Sequence, residues 1–332
     1  MVNIKRGDED LFKMYKEAKE NLLTSKHAPV YDLPPEAYAF GRTTPKSLLD
    51  TEFEFFGTDV VSNIIEDEDY LRDAGYVDSE DNLIPISYKL NKWGYREQKD
   101  MTDLENLEGI GDCILVTGNS GAFATAAHEE DGFCHHLENI IGKPVYNLSI
   151  NNGGSKSSLR IINAWVNILK PLCCVSHLDW DRTRLEFDDA IQVGNHNYKQ
   201  VFRKYYKDLD SYGSQKGKVQ IPAEDMMNGQ MLEIWEQDFD ELLKVDKNIN
   251  VIWELRDATK LYVNTQVREK YRYLPSVVIA PWIVFQESWT DEEKAEYIAE
   301  NSARDKLHPT SKQYLETALK VAEKIKENKW IR

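Results

Sequence analysis

Ile114-Leu-Val-Thr-Gly-Asn-Ser120-Gly-Ala-Phe-Ala decides how this chain folds. The stretch is a short apolar run that stops at a Gly-Asn-Ser-Gly turn. A strand buried on both faces delivers a hydroxyl to the rim of a sheet in this way. Working outward, short runs rich in Val and Ile recur at Cys113–Thr117, Val145–Ile150, Leu172–Leu178, Ile249–Leu255 and Ser276–Ala280. Helical stretches lie between them, at His128–Ile141, Ser157–Leu169 and Asp225–Leu243. Thr290-Asp-Glu-Glu293 opens another with a capping-box pattern. A last helix is expected from Pro309, a residue suited to a first helical position. Its packing stripe would be Tyr314, Leu315, Ala318, Leu319, Ala322 and Ile325. Strand–helix alternation predicts parallel strands with right-handed crossovers, and so a three-layer α/β/α fold around a five-stranded parallel sheet.

That architecture also places chemistry, because ligands of such sheets bind beyond the carboxyl ends of the strands. Ser120 follows the first strand, and Asp305-Lys-Leu-His308-Pro follows the last, so both belong on that edge. A serine hydroxyl is a poor nucleophile at neutral pH and needs a base within about 2.6–3.2 Å. Histidines ordinarily titrate near ~6.5, so His308 suits taking that proton and returning it to a leaving group. Asp305 could hold the imidazole through its other ring nitrogen and fix the tautomer. Backbone N–H groups at Ser120 and Gly121, after a sharp turn, could donate to an oxyanion. The plainer readings are an ordinary loop at Ser120 and a helix-capping Asp305 beside a surface His308. His128, His135 and His136, on the helix after the turn, read as solvent-facing or capping residues.

Length and composition bound the rest. At 332 residues the chain exceeds the roughly 250–300 at which one core stops growing. Residues 1–85, turn-rich and acidic with Pro34-Pro35 and a helical piece at Asp10–Leu22, read as an extension or small subdomain. Residues 86–332 form the main domain, with an insertion at about 180–222. An amphipathic helix at Tyr198–Tyr206 within that insertion would roof the cleft. The net charge of −16 argues against a nucleic-acid partner. No run approaches the ~20 apolar residues that span a bilayer, so no membrane partner is expected. Nor does an apolar stretch follow Lys5 and Arg6, so no secretory leader is expected. Cys113, Cys134, Cys173 and Cys174 show no C-x-x-C spacing, which fits a reduced, cytoplasmic setting. No glycine-rich phosphate fingerprint occurs, so no cofactor is implied. His177, Asp179 and Asp181 alternate and could share one side of a strand, but Arg182 and Arg184 favour ion pairs there over a metal. Oligomeric state is not written in the sequence.

These residues resemble the SGNH (GDSL-type) hydrolase family over roughly residues 86–327. Gly118-Asn119-Ser120 is similar to its Gly-Asp-Ser nucleophile block, with Asn in place of Asp. Val145-Tyr-Asn147-Leu-Ser-Ile-Asn-Asn-Gly153-Gly154 resembles its second block, whose glycine N–H lines the oxyanion hole. Ala303-Arg-Asp305-Lys-Leu-His308-Pro resembles its final Asp-x-x-His block. Upstream, Asn91-Lys-Trp-Gly94-Tyr95-Arg96 is similar to a segment that precedes the nucleophile strand in many bacterial members. The resemblance implies a flavodoxin-like sheet and a serine esterase. Its expected substrate is a small-molecule or carbohydrate ester, preferably an O-acetylated carbohydrate. Ser120, His308 and Asp305 would be catalytic. Ser120 would serve the oxyanion hole with one of Asn152, Gly153 or Gly154.

The third block departs from the family. A Gly-x-Asn-Asp is usual there, but the strand runs into His177-Leu-Asp179-Trp180-Asp181-Arg182. Trp180 or Arg182 could replace the missing amide, and Asn195 and Asn197 lie further on. Losing one oxyanion donor costs about 3 kcal/mol of transition-state stabilisation. A non-hydrolytic binding or assembly module that keeps the fold is therefore the competing expectation.

Overall fold

Five strands pair in parallel in a computed structural model that describes residues 37, 39, 52–54, 59, 64, 68–99, 111–151, 153, 155–178, 182–185, 191–194, 249–257, 277–281 and 290–331. In chain order the described elements are β1 (Glu52–Phe53), α1 (Glu68–Asp73), β2 (Tyr88–Lys89), β3 (Ile114–Gly118), α2 (Phe133–Ile141), β4 (Val145–Asn147), α3 (Ser155–Leu169), β5 (Cys173–Leu178), β6 (Arg182–Leu185), β7 (Ile191–Gly194), β8 (Val251–Asp257), β9 (Val277–Pro281), α4 (Asp291–Asn301) and α5 (Ser311–Glu327). The main sheet has the order β4-β3-β5-β8-β9 and every pairing in it is parallel. Numbered within the sheet this is 2-1-3-4-5, the flavodoxin-like order, as expected.

The chain steps from β3 outward to β4, then back across to β5. Right-handed crossovers in opposite directions put α2 and α3 on opposite faces. The side chains agree. Ile114, Val116, Cys173, Val175, Ile252 and Val278 join Phe133 and Leu137 of α2 and Tyr314, Ala318, Val321, Ala322 and Ile325 of α5 in one core. On the other face Trp165 of α3 meets Trp93 edge-on, ring centroids 5.5 Å apart. Tyr95 packs on the same indole at 6.1 Å. All four cysteines are free, and Cys113, Cys173 and Cys174 are buried. Burial raises the Cys113 thiol to about 11 and the Cys173 thiol to about 12, so both behave as small hydrophobes.

Several details differ from the sequence reading. The expected helix from His128 is divided at Gly132, whose backbone is extended at φ −80°, ψ 160° between a short 3-10 turn and α2. The last helix starts two residues after Pro309, because Thr310 is its cap and forms a capping box with Gln313. Its stripe is also rotated. Leu315 and Leu319 are exposed, while Val321 takes the inward position. Positions 314, 318, 321, 322 and 325 share the face that a 3.6-residue repeat turns inward. Within the expected insertion, Arg182–Leu185 and Ile191–Gly194 pair as an antiparallel hairpin. The expected helices at Asp10–Leu22, Tyr198–Tyr206 and Asp225–Leu243 lie outside the described residues. The Thr290 capping box is present, with Thr290 N–H donating to Glu293 at 2.7 Å. Among the described residues, no helix is long and apolar enough to cross a membrane.

Residues ahead of the sheet pack on the loop that carries Ser120. Ile64, Leu71, Tyr76, Ile86, Tyr88 and Leu90 form a second apolar cluster that includes Phe123.

Candidate active site

At the end of β3, backbone atoms approach closer than any side chain would allow. A Cβ on Gly118 would stand 2.6 Å from the His177 carbonyl oxygen of β5. One on Gly153 would stand 2.3 Å from the Gly118 carbonyl oxygen. Glycine at both positions lets β3, β5 and the turn after β4 converge beneath Ser120. Asn119 then turns the chain, its side-chain oxygen accepting the Gly121 N–H at 2.9 Å. Ser120 follows, almost fully buried.

No helix begins at once after Ser120. The loop from Asn119 to Ala127 is an irregular series of turns in which Ala124 and Ala126 both adopt φ 61°. Side chains from elsewhere hold it. Asn147 donates to the Ala122 carbonyl at 3.0 Å. Arg96 donates to the Ala124 carbonyl at 2.6 Å and to the Ala127 carbonyl at 3.1 Å. The Tyr88 hydroxyl accepts the Ala126 N–H at 2.8 Å. Arg96 is buried, lies 4.4 Å over the Tyr88 ring, and is shifted below its ordinary value by burial. Beside it, burial pushes the Glu97 carboxyl above the usual carboxylate range, while Lys99 and the Asn147 N–H oppose the rise. A cavity of about 40 Å³ borders Arg96, Glu97, Phe123 and Asn147. Neither Ser120 nor His308 lines it, so it is not the cleft expected from the sequence.

The second loop, 302–309, precedes α5. Its ends are joined by the bridge between Ser302 and Pro309 and by the Ala303 N–H donating to the His308 carbonyl at 2.7 Å. Asp305, fully buried, accepts the backbone N–H groups of Leu307 and His308 on Oδ1, each at 3.1 Å. Its Oδ2 meets His308 Nδ1 at 2.6 Å. A carboxylate held by two backbone donors therefore orients the imidazole through one ring nitrogen. The capping alternative for Asp305 does not describe this, since Thr310 is the helix cap.

Both loops lie at one edge of the sheet. Helix α2 starts just past the Ser120 loop, and α5 packs along it with their first turns adjacent. Ser311 Oγ donates to Asp131 at 3.0 Å and lies 3.0 Å from His136 Nε2. His136 is thus a tether between the two helices, not a purely solvent-facing residue. Among the described residues, no hydrogen bond joins Ser120 to His308.

The expected oxyanion donors fare unevenly. Gly153 N–H is engaged by the Ile150 carbonyl at 2.7 Å, so it is turned back into its own loop. Gly121 N–H is engaged by Asn119, as above. Gly154 and Trp180 lie outside the described residues, as do Asp179 and Asp181. Arg182 is in β6, and its side chain is likewise outside them. Among the described residues no cluster of His, Cys, Asp and Glu could hold a metal ion. Sequence reasoning missed Asp59, Tyr88, Asn147 and Arg304 as loop holders. Arg304, beside Asp305 in the final block, Asn147, within the second block, and Tyr88, just ahead of the Asn91–Arg96 segment, carried a positional hint, and Asp59 carried none.

No protein-family model matches the chain, and no curated protein sequence matches it. Among solved structures it resembles a psychrotrophic esterase, EstA, from Pseudoalteromonas sp., at 13% identity and TM-score 0.38, over 65% of this chain and 97% of that one. An acetyl xylan esterase, Est2A, from Butyrivibrio proteoclasticus aligns at 10% identity and TM-score 0.38, over 68% of this chain and 67% of that one. A GDSL-like lipase from Bacteroides thetaiotaomicron VPI-5482 aligns at 12% identity and TM-score 0.37, over 68% of this chain and 95% of that one. Such similarity is slight. The fold class rests on the strand order of the chain itself.

Proposed function

We propose that the chain is a serine ester hydrolase of the SGNH type, acting on a small-molecule or carbohydrate ester, with O-acetylated carbohydrate as the preferred class. Ser120 is the nucleophile, His308 the base and then the acid, and Asp305 the orienting carboxylate. The observation that carries this reading is the Asp305–His308 pair, with Oδ2 and Nδ1 2.6 Å apart in a loop adjoining that of Ser120. An imidazole held at Nδ1 by a buried carboxylate presents Nε2 to accept a proton, which a structural histidine does not require. The Ser120 N–H is the principal oxyanion donor in this reading. Gly153 contributes only if the turn after β4 opens, Gly154 is the other glycine donor of that block, and Trp180 or Arg182 substitutes for the third-block amide.

A second reading, a catalytically weak or inactive binding or assembly module, is favoured by one observation. Gly153 and Gly121 N–H groups both have internal acceptors, which removes two of the expected oxyanion donors among the described residues. The test is hydrolysis of a chromogenic acetyl ester by wild type and Ser120→Ala, with fluorophosphonate labelling alongside. The expected result is turnover and labelling in wild type, both abolished by the substitution. Equal rates from the two proteins, with no label on either, would reject the hydrolase reading.

A further inference from the structure

A buried polar chain runs between the two loops of the candidate site. At one end, the Ala126 N–H of the Ser120 loop donates to the Tyr88 hydroxyl at 2.8 Å. That hydroxyl donates in turn to Asp59 Oδ2 at 2.6 Å. Asp59 receives Arg304 through both oxygens, Nε to Oδ1 at 2.7 Å and Nη2 to Oδ2 at 2.8 Å. Arg304 immediately precedes Asp305, and its remaining Nη1 donates to the Ile84 carbonyl at 2.6 Å. Asp59, Tyr88 and Arg304 are all shielded from solvent.

We infer that Asp59, with Tyr88 and Arg304, is a positioning device that fixes the Asp305–His308 loop relative to the Ser120 loop; the inference rests on the triad assignment above. Stability alone is a poor explanation of the arrangement. A buried ion pair is often no more stabilising than apolar residues of the same volume, whereas its bidentate geometry is directional. The Tyr88 hydroxyl is directional too. Giving its proton to Asp59 leaves its lone pairs for Ala126, so its rotation is set from both sides. Burial, and next the Asp59 charge, push the phenol well above its ordinary value, so it remains a donor throughout the working range. Each end of the chain stops on a loop bearing one half of the candidate pair, at Ala126 and at Arg304. A misplacement of about 1 Å in such a pair is enough for a 10²-fold loss of rate.

Asp59→Asn removes the counter-charge that Asp59 gives the buried Arg304 and is liable to unfold, so Tyr88→Phe is the informative variant. It removes one oxygen and keeps the ion pair. Three quantities are measured on wild type and Tyr88→Phe: the rate of Ser120 labelling by a fluorophosphonate, the water exchange of the downfield His308 Nδ1–H proton by NMR, and the melting temperature. Labelling is expected to slow by about tenfold or more, with the His308 proton exchanging faster. A lower melting temperature with labelling and exchange unchanged would assign the chain to stability alone and overturn the proposal. If wild type is not labelled, the hydrolase reading fails separately. The His308 proton then decides: faster exchange in Tyr88→Phe upholds the coupling of the loops, and unchanged exchange ends it.

Discussion

Asp305→Asn separates orientation of the imidazole from the folding of its loop, and the structure fixes the sign of both effects. Asp305 Oδ1 accepts two backbone N–H groups and Oδ2 accepts His308 Nδ1. Asparagine has only one acceptor oxygen to offer. Placed at the Oδ1 position, it keeps both backbone bonds and turns its NH₂ toward His308. Placed at Oδ2, it strands two N–H donors, and the buried one at His308 alone costs about 1–3 kcal/mol. The first orientation therefore wins, and the amide donates to Nδ1. The neutral imidazole must then carry its proton on Nε2, the nitrogen that should accept from Ser120. A triad with its histidine in the wrong tautomer loses about 10⁴ in kcat. That corresponds to about 5.4 kcal/mol of transition-state stabilisation.

The assay is turnover of an acetyl ester, with urea unfolding on the same preparation and ¹⁵N NMR of His308 to read the tautomer. Asp305→Asn should unfold near the wild-type urea midpoint yet be nearly inactive, with its proton on Nε2. Asp305→Ala should instead lose stability, because both backbone donors are orphaned. Retention of more than about a tenth of wild-type kcat by Asp305→Asn, despite an Nε2–H tautomer, would refute the reasoning, since the wrong nitrogen would then still act as base.

Two further outcomes concern the scaffold. Gly153→Ala puts a methyl 2.3 Å from the Gly118 carbonyl oxygen and 2.9 Å from that of Ile150, so it should cost about 3 kcal/mol or more in urea unfolding. A loss under about 1 kcal/mol would mean that the turn after β4 yields easily. His136 is shifted below its ordinary value, by burial first and against the pull of Asp131. The folded chain therefore favours the neutral ring, a contribution present above the unfolded value near ~6.5 and lost as pH falls through the folded value. Calorimetry should find His136→Gln losing less melting temperature than wild type on acidification below about pH 6.5, and parallel curves would count against this.

The sheet was legible because a strand buried on both faces writes itself as an apolar run, and β3 and β5 do so at Ile114–Gly118 and Cys173–Leu178. Asp305 and His308 were legible because three residues separate them and the contact is local. What the sequence hid is long-range or backbone-borne. Asp59 meets Arg304 across most of the chain, and nothing near either residue announces the partner. Gly153 has the residue type that an oxyanion loop needs, but the direction of its N–H depends on a turn bond to Ile150 that residue types do not encode. The stripe on α5 failed for a smaller reason. Leucine at 315 and 319 is as apolar as valine at 321, so residue type alone misleads, whereas the 3.6-residue repeat through 314, 318, 321 and 325 leaves 319 off the inward face.

The Ser120 loop raises the question of why a chain would hold its proposed nucleophile with a buried guanidinium. Ala124 and Ala126 at φ 61° each cost about 1–2 kcal/mol relative to a right-handed helix. A helix beginning directly at Ser120 would avoid that strain. Charge-assisted bonds from Arg96 to the Ala124 and Ala127 carbonyls return about 1.5–3 kcal/mol each. That is of the same order as the strain, and it is reduced by the cost of burying the cation. Arg96 therefore leaves the loop little net stability. Its effect is to favour the bent conformation in which both Nη groups find carbonyl acceptors on the loop, just as Tyr88 requires Ala126 to face it. A loop specified in that way keeps the Ser120 N–H and hydroxyl in one orientation before any ester arrives. Oxyanion stabilisation depends on such preorganisation, because a donor that must reorient during the reaction loses most of its advantage over water. Among the described residues the Gly153 and Gly121 N–H groups are engaged elsewhere, so under the proposed hydrolase reading the rigidity of this loop bears directly on the Ser120 N–H.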